Sequence, residues 1–181
     1  MSYKYLKVTN LKKNVFQVVL NNPDTRNALN SVILDEVIVC LEKLNKEKLC
    51  RALIITGVDK SFSSGADLEW MKKSIDLSIE DNKKDALKFS KMLKTIDDFY
   101  CPTIAIINGH AFGGGLGIIS VCDFTIADID SKFCFSEVKL GLIPAMIGPY
   151  ILRSIGYIKT KQLFLTGEIF DASKAIKYNF I

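Results

Sequence analysis

Glu137 stands in Phe133-Cys134-Phe135-Ser136-Glu137-Val138-Lys139-Leu140-Gly141-Leu142-Ile143-Pro144, a carboxylate set among apolar residues. Buried, such a group has a raised pKa and can take or give a proton near neutral pH. From these residues alone, a surface carboxylate or a partner for Lys139 is the commoner fate. A second segment, Asn108-Gly109-His110-Ala111-Phe112-Gly113-Gly114-Gly115-Leu116-Gly117, holds three consecutive glycines. Bare backbone of this kind costs chain entropy, so something must require it. At a helix N-terminus its free amides and the helix dipole favour developing negative charge. Close helix packing or a hinge would require the glycines equally. No Gly-Lys-Ser/Thr follows, which excludes a Walker loop, and Gly115-Leu116-Gly117-Ile118-Ile119-Ser120 lacks the third glycine of a dinucleotide fingerprint. The third segment is Ser61-Phe62-Ser63-Ser64-Gly65-Ala66-Asp67-Leu68. Its small residues let a ligand approach the backbone amides, and its Asp can equally cap a following helix.

Other reactive residue types carry less. His110 is the only histidine and has no second histidine or obvious nucleophile to work with, so a structural role is expected. Ser63 and Ser64 do not sit in a Gly-x-Ser-x-Gly setting, which argues against a hydrolase triad. Trp70 and Met71 can line an acyl pocket or simply pack in the core.

These segments need elements to hold them. Val15-Phe16-Gln17-Val18-Val19-Leu20 reads as a strand, broken by Asn21-Asn22-Pro23-Asp24. Asn30 or Ser31 can cap a helix running to about Asn45, with Val32, Ile33, Val37, Leu41 and Leu44 at helical spacing. Arg51 to Gly57 is a short apolar strand. A helical pattern runs from about Asp81 to Phe99, where Pro102 stops it. Thr103 to Ile107 is the next buried strand, ending at Asn108-Gly109. Residues 115–121 read as helical, 122–127 and 132–135 as extended, and 149–155, 160–166 and 172–178 as helical. The strand–glycine order recurs at Ile54–Gly57 and Ile106–Gly109. Strands alternating with helices give an α/β class.

The 181 residues suffice for one domain with a sizeable core, and 49% hydrophobic with 24% charged residues fits a globular chain. The net charge of +4 is spread over scattered lysines, so no nucleic-acid footprint is present. A mildly basic surface still favours an anionic ligand. Cys40, Cys50, Cys101, Cys122 and Cys134 are odd in number and widely spaced, which reads as free thiols in a reducing compartment. Without a Cys-x-x-Cys pair or a second histidine, no metal is expected. The first residues lack the apolar stretch of a signal peptide, and no run is long enough to span a membrane, so the expectation is a cytoplasmic protein.

Together, Phe62-Ser63-Ser64-Gly65-Ala66-Asp67, Gly113-Gly114-Gly115 followed by Cys122-Asp123, and the segment around Glu137 resemble the crotonase (enoyl-CoA hydratase/isomerase) family, and residues 5–181 follow its pattern. The resemblance implies a crotonase-like spiral of ββα units that assembles as trimers or pairs of trimers. It implies an acyl-CoA thioester as substrate, with coenzyme A part of the substrate and no separate cofactor. Carried over by position, the backbone N–H groups of Ala66 and Gly114 form an oxyanion hole, and Glu137 is the general acid/base. The substrate-binding positions are Arg26, Ala28, Ala66, Asp67, Leu68, Gly114 and Gly117, with Pro23 to Asn30 as the CoA-binding loop. Hydratases of the family use two glutamates. The first falls at Gly117 here, so Glu137 works without that partner. The implied activity is hydration of a 2-enoyl-CoA, with an isomerase using one glutamate or a non-catalytic acyl-CoA binder as alternatives. The phrasing Gly114-Gly115-Leu116-Gly117, Phe133 to Val138, Ile143-Pro144-Ala145 and Ala66 to Met71 resembles bacterial methylglutaconyl-CoA hydratases. Family members continue past a point equivalent to Ile181 into C-terminal helices. The expectation is therefore a single core domain over residues 1–181, lacking that helical part and exposing an apolar surface.

Overall fold

The computed structural model describes residues 2–181. Its strands and helices follow one another as β1 (Leu6–Asn10), β2 (Val15–Leu20), α1 (Ser31–Glu47), β3 (Ala52–Gly57), β4 (Ser61–Ser63), α2 (Leu68–Ser74) and α3 (Ile79–Asp97). They continue as β5 (Thr103–Ile107), β6 (His110–Phe112), α4 (Gly114–Ser120), β7 (Phe124–Ala127), β8 (Lys132–Cys134), α5 (Gly148–Thr166), β9 (Phe170–Asp171) and α6 (Ala172–Lys177). Two strands followed by helix recur through this order, as the expected ββα units require.

From β3 onward the first strand of each unit enters one sheet and the second strand another, while β1 and β2 both lie in the first sheet. The five-stranded sheet runs β1-β2-β3-β5-β7, and the four-stranded sheet runs β4-β6-β8-β9. The contacts β2/β3, β3/β5 and β5/β7 are parallel, as are β4/β6 and β6/β8. Only the outer pairs β1/β2 and β8/β9 are antiparallel. On β3 and β5 the side chains of Leu53, Ile55, Ala105 and Ile107 are buried, alternating with partly exposed Ile54, Ile104 and Ile106. That alternation is the period-two signature of a strand.

The recurring strand-end glycines have a steric cause. A Cβ on Gly57 would stand 2.1 Å from the Ser61 carbonyl oxygen, and one on Gly109 2.1 Å from that of Lys60. Each glycine lets the turn into β4 lie directly against the end of a five-stranded-sheet strand. Two asparagines then stitch this region together. Asn108 accepts at Oδ1 from Gly57 N–H (3.1 Å) and donates to Asp59 C=O (2.7 Å). Asn27, fully buried and in the left-handed region (φ 58°), accepts from Asn22 N–H (2.9 Å) and donates to the carbonyls of Val58 (3.1 Å) and Ser61 (2.8 Å). Replacing Asn27 with alanine removes three bonds and strands buried backbone groups. It should cost on the order of 3 kcal/mol in chemical denaturation.

Helix starts follow side-chain caps. Asn30 Oδ1 accepts from Val32 and Ile33 N–H, both at 3.1 Å, so Asn30 rather than Ser31 starts α1. Ser78 caps α3 through Asp81 N–H at 3.1 Å, two residues ahead of the sequence expectation. The expected helices over 149–155 and 160–166 form one element, α5, interrupted at Gly156 (φ 74°, ψ 166°). The start of β5 is tied to the start of β7 by Asp123, whose Oδ2 accepts from Thr103 N–H (2.8 Å) and Oγ1–H (2.9 Å). Phe133, Phe135, Phe164, Phe170 and Phe180 pack ring against ring beside the four-stranded sheet. No helix among the described residues is long and apolar enough to cross a membrane.

Candidate active site

A cavity of about 630 Å³ opens where the loop before α1, the β4–α2 connection, the start of α4 and the segment after β8 meet. Ser63 is completely buried, and its Oγ donates to Asn27 C=O (2.8 Å) and accepts from Gly65 N–H (3.2 Å). Leu29 N–H donates to Gly65 C=O (2.7 Å) and Asp67 N–H to Leu29 C=O (2.9 Å). This bridge uses the groups on either side of Ala66, so the Ala66 N–H points the other way along the strand's alternation. Ala66 lines the cavity, and its N–H has no acceptor among the described residues.

Gly114 opens α4, where the first amides of a helix have no intrahelical partner. Its N–H likewise has no acceptor among the described residues. Gly113 before it adopts φ 46°, ψ −121°, and is pinned to β8 by its N–H on Cys134 C=O (2.9 Å). A Cβ on Gly114 would stand 2.9 Å from Cζ of Phe89, so α3 packs on the bare backbone at this point. The glycine run therefore serves both close packing and a free amide, two readings that the residues alone left open. Two unpaired N–H groups on one cavity suit an oxygen that gains negative charge.

Glu137 begins a one-turn 3-10 helix, Glu137–Leu140, ended by Gly141 at φ 72°. Its side chain reaches the cavity beside Gly113: Oε1 lies 3.3 Å from the position a Cβ on Gly113 would take. Its Oε2 is buried with no hydrogen-bond partner. Burial pushes the Glu137 carboxyl above its ordinary range, while a bond from its own backbone pulls weakly the other way. The Lys139 partnership is not formed. The Lys139 ammonium lies 3.9 Å from Cys134 Sγ instead, and no Glu137–Lys139 ion pair exists among the described residues.

The structure brings Ala28, Ala66, Asp67, Leu68, Gly114 and Glu137 onto this one cavity. Asp67 has a second task there, capping α2 by accepting from Glu69 N–H (2.9 Å) and Trp70 N–H (3.0 Å). Two expected positions lie elsewhere. Arg26, at φ 55°, lines a separate hollow of about 450 Å³ with Pro23, Val58, Asp59, Lys60 and Ser61. Gly117 is buried inside α4 and does not line the cavity; a Cβ there would stand 2.4 Å from Ile147 Cγ2. His110 is exposed and stacks on Phe112 outside the cavity, with centroids 6.2 Å apart. Trp70 donates from Nε1 to Asp85 (3.1 Å) and so ties α2 to α3, while Met71 lines the cavity. Thr25 and Ser64, which lie in the two loops singled out from the sequence, also line it, as do Ser136 and Leu140, to which the sequence reading gave no role. Only adjacence to Glu137 signalled Ser136.

The enoyl-CoA hydratase/isomerase family matches residues 10–180. The chain belongs to that family. Among solved structures of the enoyl-CoA hydratase/isomerase type, an enoyl-CoA hydratase from Shewanella pealeana superposes with a TM-score of 0.96 at 41% identity, covering 99% of this chain and 68% of that one. The α/β spiral of ββα units is therefore the family's fold. Sequence relatives carry both activity names. The enoyl-CoA isomerase/hydratase fer4 of Mycosarcoma maydis is 35% identical over 171 residues, 89% of this chain and 61% of its own length. The mouse mitochondrial Delta(3,5)-Delta(2,4)-dienoyl-CoA isomerase is 34% identical over 149 residues, 78% of this chain and 46% of its own. The chain thus spans less than two thirds of the length of these relatives.

Proposed function

We propose that this protein adds water across the C2=C3 double bond of a 2-enoyl-CoA, with Glu137 as the proton-transferring group. The observation that carries this reading is the Glu137 carboxylate, its Oε2 buried and unpartnered, on a cavity that also holds the two unpaired N–H groups of Ala66 and Gly114. In this reading the thioester oxygen rests on those two N–H groups. Water oxygen bonds to C3, its proton passes to Glu137, and the C2=C3 electron pair moves toward the thioester to give an enolate. Glu137 then returns the proton to C2. The substrate is an acyl-CoA thioester held along Ala28, Asp67 and Leu68, with Arg26 in the neighbouring hollow available to the phosphates. Coenzyme A enters as part of the substrate, and the chemistry calls for no other cofactor.

For the acyl group we favour a methylglutaconyl-like chain, on the sequence phrasing noted above. The five free cysteines support a reducing, cytoplasmic location. Exposed apolar side chains on β7 (Phe124, Ile126) and α5 (Leu152, Ile158, Leu165) support assembly into a trimer or hexamer.

The packed Gly117–Ile147 contact favours a second reading, isomerisation, because it leaves one carboxylate to move a proton between carbons. Incubation of crotonyl-CoA and 3-methylglutaconyl-CoA in 18O-labelled water separates the two. Hydration places the label at C3 of the product; a double-bond shift in a 3-enoyl-CoA with no label incorporated supports isomerisation instead. Calorimetric binding of the thioesters without either reaction would make the protein a binder.

A further inference from the structure

We infer that Ser136 holds the attacking water together with Glu137, taking the place of a second carboxylate; this rests on the hydratase reading above. Ser136 stands at the N-cap of the 3-10 helix, where a serine normally turns its Oγ onto an amide of the first turn. Here the backbone is right-handed helical (φ −84°, ψ −5°), and Oγ makes no capping bond. The Ser136 carbonyl takes the Lys139 amide instead, at 3.0 Å. The hydroxyl has no hydrogen-bond partner among the described residues and lines the cavity.

Its position relative to Glu137 is the decisive feature. A Cβ on Gly113 would stand 3.6 Å from Ser136 Oγ and 3.3 Å from Glu137 Oε1. Both atoms therefore border the space over one bare glycine, immediately before the free Gly114 amide. A water in that space has an acceptor in the carboxylate and a donor or acceptor in the hydroxyl, and so gains a fixed orientation. The other polar side chains lining the cavity are engaged, Lys139 with Cys134 Sγ at 3.9 Å. Thr25 Oγ1 accepts from Ala28 N–H (3.3 Å), and Ser64 Oγ donates to Thr25 C=O (2.8 Å). Asp67 caps α2, and Glu69 pairs with Lys72 at 2.7 Å. Ser136 is the uncommitted hydroxyl beside the uncommitted carboxylate. The proton balance stays with Glu137; the hydroxyl orients the water and keeps its own proton.

The test compares the wild-type chain with Ser136→Ala and Ser136→Thr in two assays. The first is hydration of crotonyl-CoA and 3-methylglutaconyl-CoA. The second is exchange of the C2 protons of saturated butyryl-CoA in heavy water, which needs Glu137 and the amide donors but no attacking water. Ser136→Ala should lower kcat for hydration by about 10- to 100-fold with KM nearly unchanged, the size of a lost bond to a charged pair. Its C2 exchange should match wild type, showing an intact fold and carboxylate, and Ser136→Thr should restore hydration. Unchanged hydration in Ser136→Ala, or hydration and exchange falling in parallel, overturns the assignment. A wild-type chain that exchanges C2 protons but hydrates neither substrate removes the hydratase reading itself, and that control is visible before any variant is compared.

Discussion

Glu137→Gln is expected to lower turnover by about 10²–10⁴-fold, the usual contribution of a positioned acid/base, while leaving CoA-thioester binding within a few-fold of wild type. Glutamine keeps the length and shape of the side chain, so the cavity proposed for the thioester is preserved, but it neither takes nor returns a proton at Oε1. Calorimetry with butyryl-CoA and stopped-assay hydration of crotonyl-CoA measure the two halves of the prediction. Turnover that survives in Glu137→Gln would place the proton transfer on another group.

The same substitution has a second signature in stability. Burial raises the folded-state pKa of Glu137 above its ordinary value. A carboxyl shifted this way binds its proton more tightly folded than unfolded. Its contribution is fully present below the unfolded pKa and is lost as pH rises through the raised folded pKa. Wild type should therefore lose stability across that window, and Glu137→Gln should not. Thermal unfolding at pH 5 and pH 8 should show the variant gaining relative to wild type at the higher pH. In kcat/KM for hydration, where the carboxylate form takes the proton from water, the acid limb should lie above the ordinary carboxylate range. Glutamine at 137 should abolish that limb along with the activity. A limb at the ordinary value would mean that the unpartnered Oε2 is solvated in the free protein.

What could be read from residues alone divides along a physical line. Elements with their own local signal were legible: α1 through its apolar spacing and Asn30 cap, and β3 and β5 through runs of isoleucine ending in glycine. β8 was read as extended at 132–135, but β4 and β6, three residues each, and β9, two, were not. The pairing of all four depends on partners 22 to 49 positions away, which no local pattern encodes. β1 was missed although it has an ordinary length, because Leu6 is its only fully buried residue and its alternation is weak. At the site, the glycine-rich loops and Glu137 were visible as residue types, but their convergence was not. Nothing near Glu137 in the chain says that its Oε1 borders Gly113. Asp67 was legible as the cap of α2 from its place before a helical pattern, and it also lines the cavity. Arg26 was assigned to CoA binding by resemblance, with the loop that contains it. The positive φ of Arg26 and Asn27, fixed by the buried Asn27 bonds, turns it toward a different hollow.

Gly117 gives the other large expected effect, and it bears on the proposed one-carboxylate mechanism. Introducing glutamate at 117 should destabilise the fold by on the order of 4 kcal/mol and should not raise hydration. The first methylene alone would collide with Ile147 Cγ2 at 2.4 Å and stand 3.2 Å from Ile147 Cβ, with Leu93 Cδ2 at 3.4 Å. Ile147 is only 2% exposed and Leu93 0%, so neither side chain has open space to move into. Overpacking of this kind costs about 1–3 kcal/mol. A carboxylate forced into the same apolar contact without a partner adds several kcal/mol more unless it is protonated or displaces the helix. Gly117→Ala isolates the steric part. In a double-mutant cycle with Ile147→Ala, the pair should cost less than the sum of the single changes by about 1–2 kcal/mol, because the clash disappears once the Ile147 Cγ2 methyl is gone. Additive costs would show that Ile147 already yields at this contact. A coupled pair would mean that Ile147 occupies the space in which a second carboxylate would begin. Restoring a two-carboxylate arrangement would then require repacking the α4–α5 contact before any acid is introduced.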